Sequence, residues 1–201
     1  MATKQNRTFK FFVNNAWHQP ASETYFDSEN PSTGQVWAHV PDCDQTDVAR
    51  AVAAARSAFY EGPWGAMLPA ERGRMLRRIG DAISRHADRL GEIETRDNGK
   101  LAKNITPSLK PDAWQVDSWH YYAGMCDKFE GSLIPAEMRD MHNYMKWEPF
   151  GVCALVLPWN SPLGTLIWKL APCLAAGNTV VMKPSEHSSC STLELMDVLL
   201  E

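Results

Sequence analysis

No stretch of the 201-residue chain approaches the ~20 consecutive apolar residues of a bilayer-spanning helix, and the N-terminal MATKQNRTFK lacks the apolar core of a secretory signal. A cytosolic protein with no membrane partner is expected. Blocks of like charge are missing too: 20 Lys+Arg and 24 Asp+Glu are interspersed, and a net charge of -4 leaves no basic footprint for nucleic acid. Cysteine is scarce and lacks a pairing pattern. Its five positions, 43, 126, 153, 173 and 190, show no C-x-x-C and no His at zinc-site spacing, so reduced structural thiols and no metal are expected. Cys153 falls in an apolar strand and Cys173 on an apolar helix face, where a thiolate is disfavoured. Internal repeats and low-complexity linkers are absent. What remains is 44% hydrophobic and 22% charged, enough for one substantial core in a soluble α/β chain.

Residues 9 to 40 read as short strands and turns, with Asn14-Asn15 breaking FKFFVNNAW and Pro-Ser-Thr-Gly preceding QVWAHV. A helix follows from the N-cap candidate Asp44, with Val48, Ala51, Val52, Ala55, Ala58 and Phe59 at helical spacing until Gly62 and Pro63. A second, longer helix opens at Pro69 and runs to Asp97-Asn98-Gly99, its Arg and Asp residues forming a solvated face. In PDAWQVDSWHYYAG, the aromatic face of Trp114, Ser118, Tyr121, Tyr122 and Met125 is expected to pack against a sheet. GSLIP (131–135) and NYMKW (143–147) read as a projecting hairpin. SCSTLELMDVLLE is helical in period and reaches Glu201 with no stop signal, as if cut inside a helix.

The segment most informative about function is LPWNSPLGTLIWKLAPCLAAGNTVVMKPSE, from Leu157 to Glu186. GVCALVLP (151–158) is a continuous apolar run, as expected of a parallel strand covered on both faces. Ser161 is placed to cap a helix that has Pro162 first, an apolar stripe of Leu163, Leu166, Ile167, Leu170 and Leu174, and Gly177 as its stop. Pro172 is expected to strain it. TVVMKP (179–184) is the next strand, so the unit is β-α-β with a right-handed crossover. In such sheets ligands bind beyond the carboxyl ends of the strands, where Asn160 and Lys183 to Glu186 stand. No G-x-G-x-x-G follows either strand, so the usual glycine cradle for a pyrophosphate is missing. A carboxylate and an ammonium together nonetheless suit ribose hydroxyls, and an Asn amide can donate to a developing oxyanion.

The chain resembles the N-terminal part of the aldehyde dehydrogenase superfamily. It matches in order NPSTG, AVAAARSAF, ERGRMLRRI, ETRDNGK, YYAG, EPFGV, PWN, KLAPCLAAGN and KPSE, from about residue 12 onward. The resemblance implies a partial Rossmann-like parallel sheet flanked by helices, with an N-terminal strand and hairpin entry and a protruding hairpin at about 131–147 used in homo-oligomers. It implies oxidation of an aldehyde to a carboxylic acid by a nicotinamide dinucleotide, through a thiohemiacetal and a thioester on a Cys. By the same resemblance Asn160 stabilises the oxyanion, and Val156, Leu157, Pro158 and Trp159 form a backbone wall against the cofactor. Lys183, Ser185 and Glu186 contact it at the adenosine ribose, and Ser161, Thr165 and Trp168 line the substrate tunnel. Glu186 argues for NAD by repelling a 2′-phosphate, while Lys183 keeps NADP open. The small Ser161 and Thr165 suggest a tunnel less bulky than one lined by aromatics. The family's nucleophilic Cys, its general-base Glu and the G-S-T helix start that holds the pyrophosphate are not among residues 1–201. The expectation is a catalytically incomplete fragment of such an enzyme. The alternative is a truncated, non-catalytic module that offers its hairpin to a full-length subunit.

Overall fold

In a computed structural model that describes residues 6–200, five short strands come first: β1 (Arg7–Thr8), β2 (Phe11–Val13), β3 (Ala16–His18), β4 (Tyr25–Asn30) and β5 (Gln35–Pro41). The first five residues of MATKQNRTFK and Glu201, on which the readings of the two chain ends rest, lie outside the described residues. β2 and β3 form an antiparallel hairpin whose turn residues, Asn14 and Asn15, have φ of 54° and 58°. That left-handed pair is the twist-compatible turn for a two-residue hairpin, and Asn tolerates it better than most residues. β5 pairs antiparallel with β4 on one side and parallel with β1 on the other.

Helix α1 (Gln45–Tyr60) starts where expected, because Asp44 accepts from the Thr46 and Asp47 amides while Asp47 accepts in return from the Asp44 amide. Three backbone donors at the helix start are thereby satisfied. The apolar stripe differs from expectation: Val48, Val52 and Ala58 are exposed, and α1 lies on the later strands through half-buried Ala54, Ala55 and Phe59. After the short α2 (Pro63–Ala66), the single long helix expected from Pro69 is two, α3 (Pro69–Arg85) and α4 (Ala87–Asn98), broken at His86 with φ -100° and ψ 14°. Gly99, at φ 78°, ends α4 in the left-handed conformation that glycine adopts without a Cβ penalty.

The short α5 (Ala102–Ile105) and a 3-10 turn (Thr106–Leu109) lead into α6 (Trp114–Met125). Its buried face is Gln115, Val116, Trp119 and Ala123 rather than Trp114, Ser118, Tyr121 and Met125, and it packs on helices instead of a sheet. The hairpin β6 (Ser132–Ile134) and β7 (Asn143–Met145) follows, antiparallel and with all six strand residues exposed. Last come β8 (Val152–Val156), α7 (Pro162–Ala175), β9 (Thr179–Lys183) and α8 (Cys190–Leu199).

The main core lies among α3, α4, α6, α7 and α8, where Leu76, Ile83, Leu90, Trp119, Leu166, Ile167, Leu170 and Leu195 are almost wholly buried. β8 and β9 are parallel in the register Val152↔Thr179 through Val156↔Lys183. Contrary to the continuous burial expected of GVCALVLP, β8 is only half covered and Val156 is 60% exposed, because among the described residues the sheet has two strands. Pro172 lies inside α7, which is assigned as one helix from Pro162 to Ala175. Among the described residues no helix is long and apolar enough to cross a membrane.

Candidate functional site

The register of β8 on β9 decides where the chemistry-bearing residues stand. Val156 pairs with Lys183, and the Leu157 amide donates to the Lys183 carbonyl at 2.9 Å, so both chains leave the sheet at the same end. Asn160 lies four residues beyond Val156 and Glu186 three beyond Lys183, which puts Asn160 and Glu186 on adjacent loops with Lys183 at the end of β9. Asn160 is exposed, and its side-chain amide makes no hydrogen bond among the described residues, leaving it free to donate. Lys183 Nζ donates to Glu186 Oε2 at 3.3 Å, both side chains being well exposed. The Glu186 backbone amide first, and then Lys183, hold its carboxyl below the ordinary value, so Glu186 is an anion.

Of the wall residues, Val156 and Trp159 face solvent, Pro158 is half-buried, and the Leu157 side chain goes into the core. The Val156 carbonyl accepts from Lys169 Nζ at 2.6 Å. Ser185 is buried: its Oγ accepts from the His187 amide and its carbonyl from the Ser188 amide and Ser189 Oγ, so it closes the turn that presents Glu186. Ser161, Thr165 and Trp168 share one face of the first turns of α7. Ser161 makes no cap bond with its hydroxyl, which accepts from Lys100 Nζ at 3.1 Å instead. Trp168 meets Trp114 with ring centroids 5.3 Å apart. Neither Lys100 nor Trp114 was placed beside the site by sequence reasoning, since a helix period carries no information about a partner more than fifty residues away.

Two further residues were missed altogether. Glu94, not singled out in the sequence, and Asp97, noted only as part of the helix stop, are 2% and 1% exposed. Glu94 Oε2 accepts from the Leu163 amide at 3.1 Å, in the first turn of α7. Asp97 Oδ2 accepts from the Cys190 amide at 2.7 Å, at the start of α8, and from Ser188 Oγ at 3.2 Å, while Oδ1 accepts from Ser28 Oγ at 2.7 Å. No sequence signal could have found them, since Ser161 and Ser189 stand where caps belong and only the structure shows that neither makes a side-chain cap bond.

Burial pushes the Asp97 carboxyl above its ordinary 3.8, and the hydrogen bonds from Ser28, Cys190 and Ser188 pull it back only in part. Glu94 is likewise raised by burial, against the Leu163 amide and Lys100. A raised folded pKa means that the folded state binds more protons than the unfolded one between the two values. The contribution to stability is then full below the unfolded pKa and falls as pH rises through that window. The stability gap between wild type and Asp97→Asn is therefore expected to narrow as pH rises from below about 4 toward neutrality. Parallel denaturant melts measure it, and a gap that widens with pH contradicts the burial account.

Burial also suppresses the thiols. Cys43 is pushed up to about 11, with Asp47, Asp42 and Asp44 adding to the effect, and Cys173 to about 12. Cys126 and Cys190 are raised as well, and Cys153 sits mid-strand in β8. None of these four raised thiols has the depressed pKa of an activated nucleophile.

A parallel β-α-β unit with polar groups gathered past the carboxyl ends of its strands is the arrangement of the Rossmann-like α/β class. Within that class the chain belongs to the aldehyde dehydrogenase family, whose sequence profile matches residues 17–201. It is 42% identical over 193 residues to mitochondrial aldehyde dehydrogenase of Homo sapiens, covering 96% of this chain and 37% of that one. Against (Z)-2-((N-methylformamido)methylene)-5-hydroxybutyrolactone dehydrogenase of Acinetobacter baylyi the identity is 38%, covering 96% of this chain and 38% of that protein. Among solved structures, the NAD+ complex of the Bacillus cereus aldehyde dehydrogenase superposes with a TM-score of 0.91 at 35% identity, covering 96% of this chain and 39% of that one. The NAD-dependent aldehyde dehydrogenase of Sinorhizobium meliloti gives 0.90 at 30% identity, with coverage of 96% and 38%. The chain thus spans just over a third of the length of these relatives.

Proposed function

We propose that this chain supplies part of the cofactor-binding domain and the oxyanion donor of an NAD-dependent enzyme that oxidises a small-molecule aldehyde to a carboxylic acid. The observation that carries the reading is the placement of Asn160 past β8 and of the Lys183–Glu186 pair at and past the end of β9, at one end of the two strands. The donor set fits a ribose. The Glu186 carboxylate accepts from hydroxyls and the Lys183 ammonium donates to them, and both are exposed, so neither must give up a buried partner. Bound nicotinamide would supply the hydride acceptor. Val156 to Trp159 offer backbone along that binding face, and Ser185 contributes through the turn it closes.

The Asn160 amide donates to the oxygen that gains charge when a nucleophile adds to the aldehyde carbon, which lowers the barrier because the donor is already oriented. Ser161, Thr165 and Trp168 line the approach, so the tunnel wall on this side combines two small residues with one aromatic. Four of the five thiols, at 43, 126, 173 and 190, are raised by burial, which supports a nucleophile other than these. The exposed hairpin β6–β7, with Leu133, Ile134, Tyr144 and Met145 open to solvent, supports a homo-oligomeric assembly through that element.

The test is reduction of the cofactor, followed by absorbance, when the protein that carries this chain is offered a panel of aldehydes. Because Glu186 is an anion where a 2′-phosphate would lie, kcat/KM is expected to be higher with NAD than with NADP. Glu186→Gln is expected to narrow that ratio, since it removes the repulsion and keeps an acceptor for the hydroxyl. A ratio at or below one in the wild type overturns the cofactor assignment, and no turnover of any aldehyde overturns the reading itself.

A further inference from the structure

We propose that Glu94 and Asp97, one turn apart on α4, are positioning residues that set the two site loops separately, Glu94 the Asn160 loop and Asp97 the Lys183–Glu186 turn. The proposal rests on the functional reading above for the meaning of those loops, though not for the geometry. Leu163, whose amide Glu94 receives, is three residues past Asn160. Cys190 and Ser188, which Asp97 receives, follow Glu186 by four and two residues.

Each helix start depends on the borrowed carboxylate. Ser161 and Ser189 precede α7 and α8 without a side-chain cap bond, their hydroxyls being engaged by Lys100 and by the Ser185 carbonyl. With Glu94 and Asp97 almost fully buried, no solvent stands ready to replace them, and a lost acceptor leaves a buried amide unpaired. Their partner sets do not overlap. Glu94 takes the Leu163 amide and Asn98 Nδ2, whereas Asp97 takes Ser28, Ser188 and Cys190. Removing one carboxylate therefore frees one loop and leaves the other held.

A displaced oxyanion donor lowers the rate of chemistry, since misplacement by about 1 Å can cost on the order of 10²-fold. A displaced ribose contact weakens cofactor binding instead. In the protein that carries this chain, Glu94→Met, which matches volume without an acceptor, is expected to lower kcat by roughly 10–10²-fold with KM for NAD within about twofold. Asp97→Ala is expected to raise KM for NAD by on the order of tenfold and leave kcat at saturating cofactor within about twofold. Glu94→Gln and Asp97→Asn keep a side-chain oxygen and should recover most of each loss.

Hydrogen exchange provides a readout that needs no turnover: Glu94→Met should speed exchange at residues 160–165 alone, and Asp97→Ala at residues 186–191 alone. Equal movement of kcat and KM in both variants, no movement in either, or exchange that rises in both loops together overturns the proposal. Wild-type protein that turns over no aldehyde would refute the functional reading alone, and the exchange pattern would still decide whether the two carboxylates act on separate loops.

Discussion

Asn160→Ala is expected to lower kcat by roughly 10²–10³-fold in the protein that carries this chain, the loss seen when a single oxyanion donor is removed. The side-chain amide stands at the end of β8 with no partner among the described residues, and the α7 start behind it is held by Glu94. In the role proposed for it, it would meet the developing charge without first breaking a bond to another described residue. The interaction strengthens as the carbonyl oxygen becomes anionic, so the effect should fall on kcat, with KM for NAD unchanged. The measurement is steady-state kinetics with a deuterated aldehyde, which reports whether hydride transfer limits the rate. An unchanged kcat under conditions where it does would remove Asn160 from the chemistry.

Trp119→Ala is expected to cost about 3–5 kcal/mol of stability, the range for truncating a large aromatic in a close-packed interior. Trp119 is 0% exposed in the main core, on the face of α6 that meets α3 and α7. Its surroundings have little room to collapse. Gly80 of α3 already brings backbone so near that a Cβ there would lie 2.9 Å from the Trp119 Cβ. A domain's whole stability is about 5–15 kcal/mol, so the variant should melt far earlier or fail to accumulate folded. Trp119→Phe, which keeps most of the apolar volume, should lose less than half as much. A Trp119→Ala loss below about 1 kcal/mol in denaturant melts would show that the core repacks around the gap.

Such a core could be foreseen only in part. The apolar stripe of α7 follows from Leu163, Leu166, Ile167, Leu170 and Leu174 at helical spacing, and these positions are buried or half-buried in the fold. The face of α6 does not follow. Its apolar residues go nearly all round the helix, so neighbours decide which of them are covered: α3 and α7 take Val116, Trp119 and Ala123 and leave Trp114 and Tyr121 outside. The break at His86 was hidden for a related reason. No Gly or Pro marks it, and the chain turns there so that Leu76 and Ile83 before it and Leu90 after it can all reach one core.

Sequence alone determined the strand, helix and strand of residues 151–186, the N-cap at Asp44, the Asn14-Asn15 hairpin turn, and the placement of Asn160 and Glu186 beyond the strand ends with Lys183 closing the second strand. Each of these depends on residues a few positions apart, through backbone sterics, capping bonds and the periods of helix and strand. The tertiary structure decided what holds those groups in place. A carboxylate's role depends on its access to water and on which amides face it, and the amides facing Glu94 and Asp97 come from 69 and 93 residues away in the chain. On the helix pattern nothing marks Glu94, and Asp97 is only part of the helix stop. In the folded chain they are buried acceptors at the starts of α7 and α8, because the packing of α4 against α8 and beside the start of α7 removes water and leaves two helix ends with no other partner.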